Sequence, residues 1–282
     1  GDTITGAAGN DIIAGGTGND IITGGADNDS LTGGGGNDTF NIDAGTDTVN
    51  DLATGDDLVV SSGATANAIN ITSFVADSDT TNSGTVNLTA RAAGGSIDMS
   101  SAGGSASYNL ISGAGTDTLK GDAGDDTFTI VAAGEGNNDT FDGDGGNDTL
   151  QLSTGAHTLT DNSKVVNIET ILAHSSGSTL DLTNQTEVFT VTGGAGVDNL
   201  TGGTGNDIIT GAGGNDIIAG GTGNDTITGG ADNDSLTGGG GNDTFNVDSG
   251  SDTITDLATN DDLVVSSGAT ATANNVSAFV AD

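Results

Sequence analysis

The chain has 282 residues and carries 40 Asp and Glu against only 3 Lys and Arg, so its formal net charge is −37. So negative a chain repels nucleic acid and anionic lipid, and no run of about 18 apolar residues offers a membrane span. It lacks cysteine, so no disulfide stabilises it. Two classes fit this composition: a disordered acidic chain, and a folded protein whose carboxylates are neutralised by bound cations.

The order of residues 1–60 favours the second class. Aspartates recur every nine residues, at Asp2, Asp11, Asp20, Asp29, Asp38, Asp47 and Asp56. Two residues after each stands an apolar side chain: Ile4, Ile13, Ile22, Leu31, Phe40, Val49 and Leu58. A disordered chain has no reason to keep this spacing, so we predict a folded repeat array over residues 1–60.

Residues 61–111 and 160–191 lack the aspartate spacing. They are rich in Thr, Ser, Ala and Asn with alternating apolar residues, as in Thr85–Leu88, which predicts short strands. We interpret both segments as metal-poor coils of one solenoid. A small separate β module is the alternative for residues 61–111.

Residues 112–159 form a degenerate array around Asp117, Asp126 and Asp148. The step from Asp126 to Asp139 is thirteen residues, which predicts a loop over 132–136. At the next aspartate position stands His157, which we interpret as a decayed metal turn. We expect His157 and His174 to lie at the surface.

Residues 192–264 form a second regular array, and 265–282 begin another metal-poor segment. Its aspartates are Asp198, Asp207, Asp216, Asp225, Asp234, Asp243, Asp252 and Asp261. Residues 1–77 align with 206–282 without a gap, and 62 of the 77 positions are identical. This long period of 205 residues indicates a window of a longer, tandemly repeated protein.

The nonapeptide Gly202–Thr210 follows the pattern G-G-x-G-x-D-x-U-x, where U is a large apolar residue. Glycines at positions one, two and four allow positive φ and a tight turn, while U points into a core. Turn carbonyls and the Asp carboxylate are hard oxygen ligands, which suit Ca²⁺ better than Mg²⁺, and zinc or iron would favour His or Cys. We therefore predict several Ca²⁺ ions in the turns.

The predicted ligands are one carboxylate per turn together with carbonyl oxygens of turn residues. The carboxylates are those of Asp2, Asp11, Asp20, Asp29, Asp38, Asp47, Asp117, Asp126, Asp148, Asp198, Asp207, Asp216, Asp225, Asp234, Asp243 and Asp252. Representative carbonyls are those of Gly15, Thr17, Gly202, Thr204, Gly211, Gly213, Gly220 and Thr222.

With these nonapeptides the chain resembles the RTX (repeats-in-toxin) family over about residues 1–60, 112–151 and 193–264. The resemblance implies an all-β fold: a right-handed parallel β-roll, or β-helix solenoid, with Ca²⁺ bound in the Gly- and Asp-rich turns between successive coils. It also implies an extracellular or cell-surface protein, secreted by a one-step (type I) export system.

We expect no enzymatic activity, since the chain holds no G-x-S-x-G, H-E-x-x-H or G-x-G-x-x-G motif. The favoured function is an extracellular structural repeat of a fibre, surface layer or biofilm matrix that folds and assembles on Ca²⁺, with other copies of itself as partners and a surface polysaccharide as a possible anchor. The alternatives are the rigid spacer of a giant adhesin and the secretion module of an exported enzyme or toxin. Ice binding is disfavoured because the Thr204 and Thr222 ladder ends at Gly240. Neither nucleic-acid binding nor membrane insertion is expected.

Overall fold

The computed structural model describes residues 1–132, 134 and 137–276. In these residues the regular secondary structure is β-strand, and no helix is long and apolar enough to cross a membrane. The chain divides into two compact units, Gly1–Val131 with Asn138–Asp148 and Ala132–Asn137 with Thr149–Asp282. The loop predicted over 132–136 falls largely outside the described residues, as does 277–282 of the last predicted segment.

The first unit is a parallel β-solenoid. Its strands are β1 (Thr3–Ala8), β2 (Ile12–Thr17), β3 (Ile21–Ala26), β4 (Ser30–Gly35), β5 (Thr39–Ile42), β6 (Thr46–Val49), β7 (Asp57–Val60), β8 (Thr65–Ile71), β9 (Ser73–Val75), β10 (Thr81–Asn82), β11 (Thr85–Ala90), β12 (Ser96–Asp98), β13 (Asn109–Ile111), β14 (Thr118–Lys120), β15 (Thr127–Thr129) and β16 (Thr140–Asp142). They pair in the orders β1-β3-β5-β7-β10, β2-β4-β6-β8-β11-β13-β15 and β9-β12-β14-β16. Alternate strands thus enter different sheets, as successive sides of a coil do.

The second unit repeats this architecture. Its strands are β17 (Thr149–Gln151), β18 (Gly155–Thr158), β19 (Val165–Val166), β20 (Thr170–Leu172), β21 (Ser178–Asp181), β22 (Thr190–Thr192), β23 (Asn199–Thr201), β24 (Ile208–Gly213), β25 (Ile217–Thr222), β26 (Thr226–Ala231), β27 (Ser235–Gly240), β28 (Thr244–Val247), β29 (Ser251–Ile254), β30 (Asp262–Val265) and β31 (Thr270–Ala273). They pair in the orders β17-β20-β22-β24-β26-β28-β30 and β18-β21-β23-β25-β27-β29-β31. The all-β parallel solenoid predicted from the sequence is therefore confirmed.

The strand register shows that two nonapeptides make one coil. Thr3 lies opposite Ile21 and Ile208 opposite Thr226, a step of 18 residues in each case. Where the aspartate spacing widens, the coil lengthens instead of losing register: Thr118 lies opposite Thr140, and the amide of Asp117 reaches a carboxylate 22 residues ahead, on Asp139. The extra residues are therefore absorbed between strands.

The core is a row of apolar side chains, one from each nonapeptide. Ile22, Phe40, Ile227 and Phe245 are fully buried, because a parallel register places equivalent positions above one another. Their sequence neighbours point to the opposite face, and Ile12 is 90% exposed. The alternation of buried and exposed residues is what keeps each strand in register.

The aspartate-poor segment 61–111 contributes strands to the same sheet as the first array. Strand β8 pairs in parallel with β6 and β11, and β11 pairs with β13. Asn87 donates to Asn67 and Asn109 donates to Asn87, both at 2.7 Å. A ladder of neutral side-chain amides thus joins these coils.

The turns place special demands on single glycines. Gly239 has a φ of +104°, and a methyl group built on it would collide with the carbonyl oxygen of Gly221 one coil before. The next residue, Gly240, has an ordinary φ, and a methyl group there would lie 3.7 Å from Thr222 Cγ2. Two adjacent glycines therefore differ in what they tolerate.

We predict that Gly239→Ala lowers the free energy of unfolding by about 1–3 kcal/mol, because an L side chain is strained at this φ. The matched control Gly240→Ala should leave it unchanged within about 0.5 kcal/mol. Urea denaturation of both variants at one fixed calcium concentration measures the difference. Equal destabilisation by the two substitutions would contradict the turn geometry.

Candidate metal centre

The aspartate at position six of the nonapeptide is buried although it carries a charge. Among the predicted ligands, the buried side chains are Asp20, Asp29, Asp38, Asp47, Asp117, Asp126, Asp148, Asp198, Asp207, Asp216, Asp225, Asp234, Asp243 and Asp252. Asp2 is exposed and Asp11 is half-buried. The burial of so many carboxylates requires compensating partners.

Besides Asp122, which lies outside the nine-residue spacing, three further buried aspartates were left out of the predicted set: Asp56, Asp139 and Asp261. Asp56 and Asp261 end their arrays in the nine-residue spacing, and Asp139 stands nine residues before Asp148. The spacing was therefore a sufficient signal for all three.

One oxygen of each carboxylate joins successive coils. The backbone N–H of Asp207 donates to Asp225 Oδ1 at 2.8 Å, and that of Asp225 donates to Asp243 Oδ1 at 2.9 Å. In the first unit the N–H of Asp20 donates to Asp38 Oδ1 at 2.8 Å. The aspartates thus form a ladder in which each side chain holds the backbone of the coil before it.

The second oxygen faces the turn, and in eight turns of the regular arrays it is buried without a hydrogen-bond donor. Buried Oδ2 atoms without a partner belong to Asp11, Asp20, Asp29, Asp47, Asp216, Asp225, Asp234 and Asp252. Native proteins rarely leave buried oxygens unsatisfied, and a charged one is the most costly to leave so. The arrangement therefore calls for a positive partner.

Carbonyl oxygens meet these carboxylates at the first glycine of the turn. A methyl group built on Gly15 would lie 2.5 Å from Asp20 Oδ2 and 2.7 Å from the carbonyl oxygen of Gly33 on the next coil. At Gly211 the same place is bordered by Asp216 Oδ2 and by the carbonyl oxygen of Gly229. Two oxygens with no hydrogen between them fit a hard cation such as Ca²⁺.

Of the predicted carbonyl ligands, those of Gly211 and Gly220 lie beside Gly193 and Gly202, but the carboxylate oxygens there, Oδ2 of Asp198 and Asp207, already accept a backbone N–H. The carbonyls of Gly15, Thr17, Gly202, Thr204, Gly213 and Thr222 stay predictions. Within the described residues no three Asp, Glu, His or Cys side chains converge on one point. The observed oxygen pairs instead join one side chain to one backbone carbonyl.

The expected role of the glycines needs one correction. In the turn 15–20 the position-two and position-four glycines have positive φ, Gly16 at +108° and Gly18 at +104°, but the position-one glycines Gly15 and Gly211 do not. Glycine is required at position one because any Cβ would occupy the space between the carboxylate and the carbonyl. Glycine at position one was therefore predicted for its freedom to adopt positive φ, whereas the structure requires it for its lack of a Cβ.

The interpretation of His157 as a surface residue at a decayed metal turn is wrong. Its side chain is fully buried, and strand pairing sets it opposite Leu180, whose neighbour in the sheet is the core residue Leu200. His157 thus occupies an apolar core position instead of a lost aspartate position, and its Nε2 lies 3.0 Å from the carbonyl oxygen of Ser153. His174 is exposed, as expected.

Burial raises the pKa of several motif carboxyls because it disfavours the charged form. The pKa of Asp216, Asp225 and Asp234 rises from 3.8 to about 6; the backbone N–H bonds lower it, and the neighbouring carboxylates raise it further. The pKa of Asp126 rises to about 7 from the same causes. Without cations the folded state therefore holds protons more tightly than the unfolded state.

In the presence of a chelator, the folded state should become more stable relative to the unfolded state as the pH falls from 7 to 4. Above pH 6 the folded state carries the full penalty of the ionised carboxylates, and between pH 6 and 3.8 it takes up protons that the unfolded state does not bind. Circular dichroism in EDTA across this range tests the sign of the effect, since the folded fraction should rise as the pH falls.

The control separates buried carboxylates from overall charge. Asp216→Asn with Asp225→Asn should flatten the pH dependence, whereas Asp79→Asn with Asp262→Asn, which removes two exposed carboxylates, should not. A folded fraction that falls on acidification in EDTA would contradict the raised pKa values.

Comparison with known proteins agrees with this geometry. The family model described as RTX calcium-binding nonapeptide repeat (4 copies) matches residues 1–22, 14–49, 109–129, 131–155, 192–227 and 220–254, which together cover more than half of the chain. A search of curated proteins returns no match. The chain belongs to the RTX calcium-binding nonapeptide repeat family and is a calcium-binding repeat protein with the β-roll architecture of parallel stacked coils.

Proposed function

We propose that this chain is the repeat region of an extracellular structural protein that folds and assembles when several Ca²⁺ ions fill its turns. One observation carries the proposal: buried carboxylate oxygens without donors face carbonyl oxygens in turn after turn. In the absence of cations these oxygens oppose folding, so calcium binding and folding are coupled.

The extracellular location rests on calcium supply and on the family. Extracellular modules bind Ca²⁺ at about 10⁻⁴–10⁻³ M, a concentration far above that of the cytosol. Proteins with these repeats are typically secreted. A chain that stays unfolded inside the cell and folds outside suits export by a one-step (type I) system.

The structural role rests on the long repeat. Residues 1–77 and 206–282 share 62 of 77 positions, and such duplication multiplies the β-roll beyond what a secretion tail needs. Within the described residues, exposed isoleucines on the strands, including Ile12 and Ile217, and the large net negative charge offer lateral contacts between copies, directly or through bridging Ca²⁺. A surface polysaccharide is a further proposed partner, and no catalytic activity is proposed.

The second candidate is the rigid spacer of a secreted adhesin, favoured by the stacking of the aspartate-poor segment 61–111 in the same sheet as the array. A folding and secretion module of an exported enzyme or toxin is the third. The candidates differ in whether the folded chain associates with itself.

We predict that the chain gains β-structure as Ca²⁺ rises from zero to several millimolar, and that Mg²⁺ at the same concentrations produces much less. The physical reason is that flexible carbonyl and carboxylate ligands suit Ca²⁺, whereas Mg²⁺ retains its water. Circular dichroism measures the transition. A spectrum that is the same in EDTA and in Ca²⁺ would refute calcium-coupled folding.

Light scattering during the same titration distinguishes the proposed roles. For a structural fibre or layer, compaction of the chain is followed by a rise in mass into polymers, which EDTA reverses. A chain that compacts but keeps the mass of one copy would favour the adhesin spacer. Raising the salt concentration serves as the control, because it screens charge without filling the turns.

A further inference from the structure

One hexapeptide sequence occurs three times in two backbone conformations. Gly-Gly-Thr-Gly-Asn-Asp stands at 15–20, 202–207 and 220–225. In the last copy Gly221 and Gly223 have φ values of +112° and +132°, and the first copy is alike. In the middle copy neither Gly203 nor Gly205 has a positive φ. The local sequence therefore does not decide the conformation.

The difference decides what the aspartate meets. In the turn 202–207 the N–H of Gly203 donates to Asp207 Oδ2 at 2.9 Å, so the carboxylate is satisfied within its own turn. In the turn 220–225 the Oδ2 of Asp225 is buried and has no donor. We name the first kind a closed turn and the second an open turn.

The closed kind with a position-two donor recurs at three other places, and the Oδ2 atoms of Asp56 and Asp261 accept instead from the position-three amides of Ala53 and Ala258. The N–H of Gly194 donates to Asp198 Oδ2 at 2.8 Å, that of Asp122 to Asp126 Oδ2 at 2.8 Å, and that of Gly113 to Asp117 Oδ2 at 2.9 Å. Each of these residues stands at position two of its turn.

In the open turns the position-two amide turns away from its own carboxylate. The N–H of Gly230 donates instead to Asp248 Oδ1 on the next coil at 3.1 Å, and the N–H of Gly25 donates to Asp43 Oδ1 at 3.2 Å. The carboxylates of these two turns, Asp234 and Asp29, both keep a buried Oδ2 without a donor.

In the second array, the coil that precedes a turn distinguishes closed turns from open turns. The closed turn 202–207 stacks on a segment without the motif, where the N–H of Thr204 donates to the carbonyl oxygen of Gln185. The closed turn 193–198 likewise stacks on Ser175 through the N–H of Ala195. The open turn 220–225 stacks on a motif turn, where the N–H of Thr222 donates to Gly203. In the second array a motif turn thus opens when another motif turn lies beneath it.

We infer that calcium occupies open turns only, and that the closed turns of Asp117, Asp126, Asp198 and Asp207 hold no ion. The aspartate of a closed turn already has an amide for each oxygen, since Asp207 Oδ1 accepts the N–H of Phe189 at 2.8 Å. The turns that begin the second array therefore form without calcium and provide the surface on which calcium-bound turns stack. This inference rests on the proposed calcium-coupled folding.

The matched pair Asp225→Asn and Asp207→Asn tests it, because both residues are 1% exposed, end the same hexapeptide and precede strands of one sheet. Asparagine keeps Oδ1 for the ladder and replaces Oδ2 by an NH₂ group. The number of Ca²⁺ ions bound per full-length chain at saturation is counted by native mass spectrometry and by isothermal titration calorimetry. We expect one ion fewer for Asp225→Asn and an unchanged number for Asp207→Asn.

The calcium concentration at the folding midpoint gives a second readout. In Asp207→Asn the new NH₂ group faces the N–H of Gly203, so the midpoint should rise although the ion count stays the same. The pair Asp234→Asn and Asp198→Asn repeats the test if one variant fails to fold. Loss of an ion from Asp207→Asn or Asp198→Asn would overturn the inference and leave calcium-coupled folding intact. A parent chain that binds no calcium would instead refute the proposed function itself.

Discussion

The fold of the aspartate arrays depends on one electrostatic constraint, which is that each of their turns buries a carboxylate. One carboxylate oxygen accepts a backbone N–H of the previous coil, and the other needs a cation or an amide of its own turn. Oδ1 of Asp225 holds the backbone of the previous coil, so the side chain cannot turn outward to water without breaking the ladder. Its second oxygen is thereby fixed inside the turn. Under the proposed function, the dependence of folding on calcium follows from the hydrogen bond between each Asp Oδ1 and the backbone of the previous coil.

The apolar core is too thin to carry this cost by itself. Most nonapeptides bury one or two large apolar side chains, such as Ile227 or Phe245 with Val247. Each burial is worth about 1.5–3 kcal/mol, whereas ordering the backbone of each residue costs about 1–2 kcal/mol. The core therefore fixes the register, and under the proposed function bound calcium supplies the remaining stability. Because each coil contacts only its neighbours, an ion bound between coils would stabilise two of them.

The periodic sequence predicts most of the fold. The spacing from aspartate to apolar residue identifies the buried ladder and the core, and both lie where the pattern puts them, as at Asp225 and Ile227. The nine-residue spacing predicts the wrong environment where a residue at an aspartate position of the count lies in the apolar core. Counting nine from Asp148 reaches His157, but the chain there sets this residue in the core opposite Leu180. A histidine in an apolar row has no signature in a nonapeptide count.

The state of a turn lies beyond local sequence altogether. Gly203 and Gly221 occupy the same place in identical hexapeptides, yet only Gly221 has a positive φ. The deciding contact comes from the coil beneath, which stands 18 residues earlier in the array and more than that near the aspartate-poor segments. A prediction from the nonapeptide motif uses only nine residues at a time, and it therefore counts every motif Asp as a metal ligand.

The aspartate-poor segments complete this logic. Where Asn67, Asn87 and Asn109 stack, the amide of Asn87 donates to Asn67 and accepts from Asn109, so the ladder continues from coil to coil without any ion. Carboxylates cannot do this, because an ionised acid only accepts. A coil can therefore be joined to the next by neutral amides, by a carboxylate closed on its own turn, or by a carboxylate with a cation. The long repeat of 205 residues contains the first two, and its buried Oδ2 atoms without a donor are where we propose the third, which alone would make stability depend on calcium.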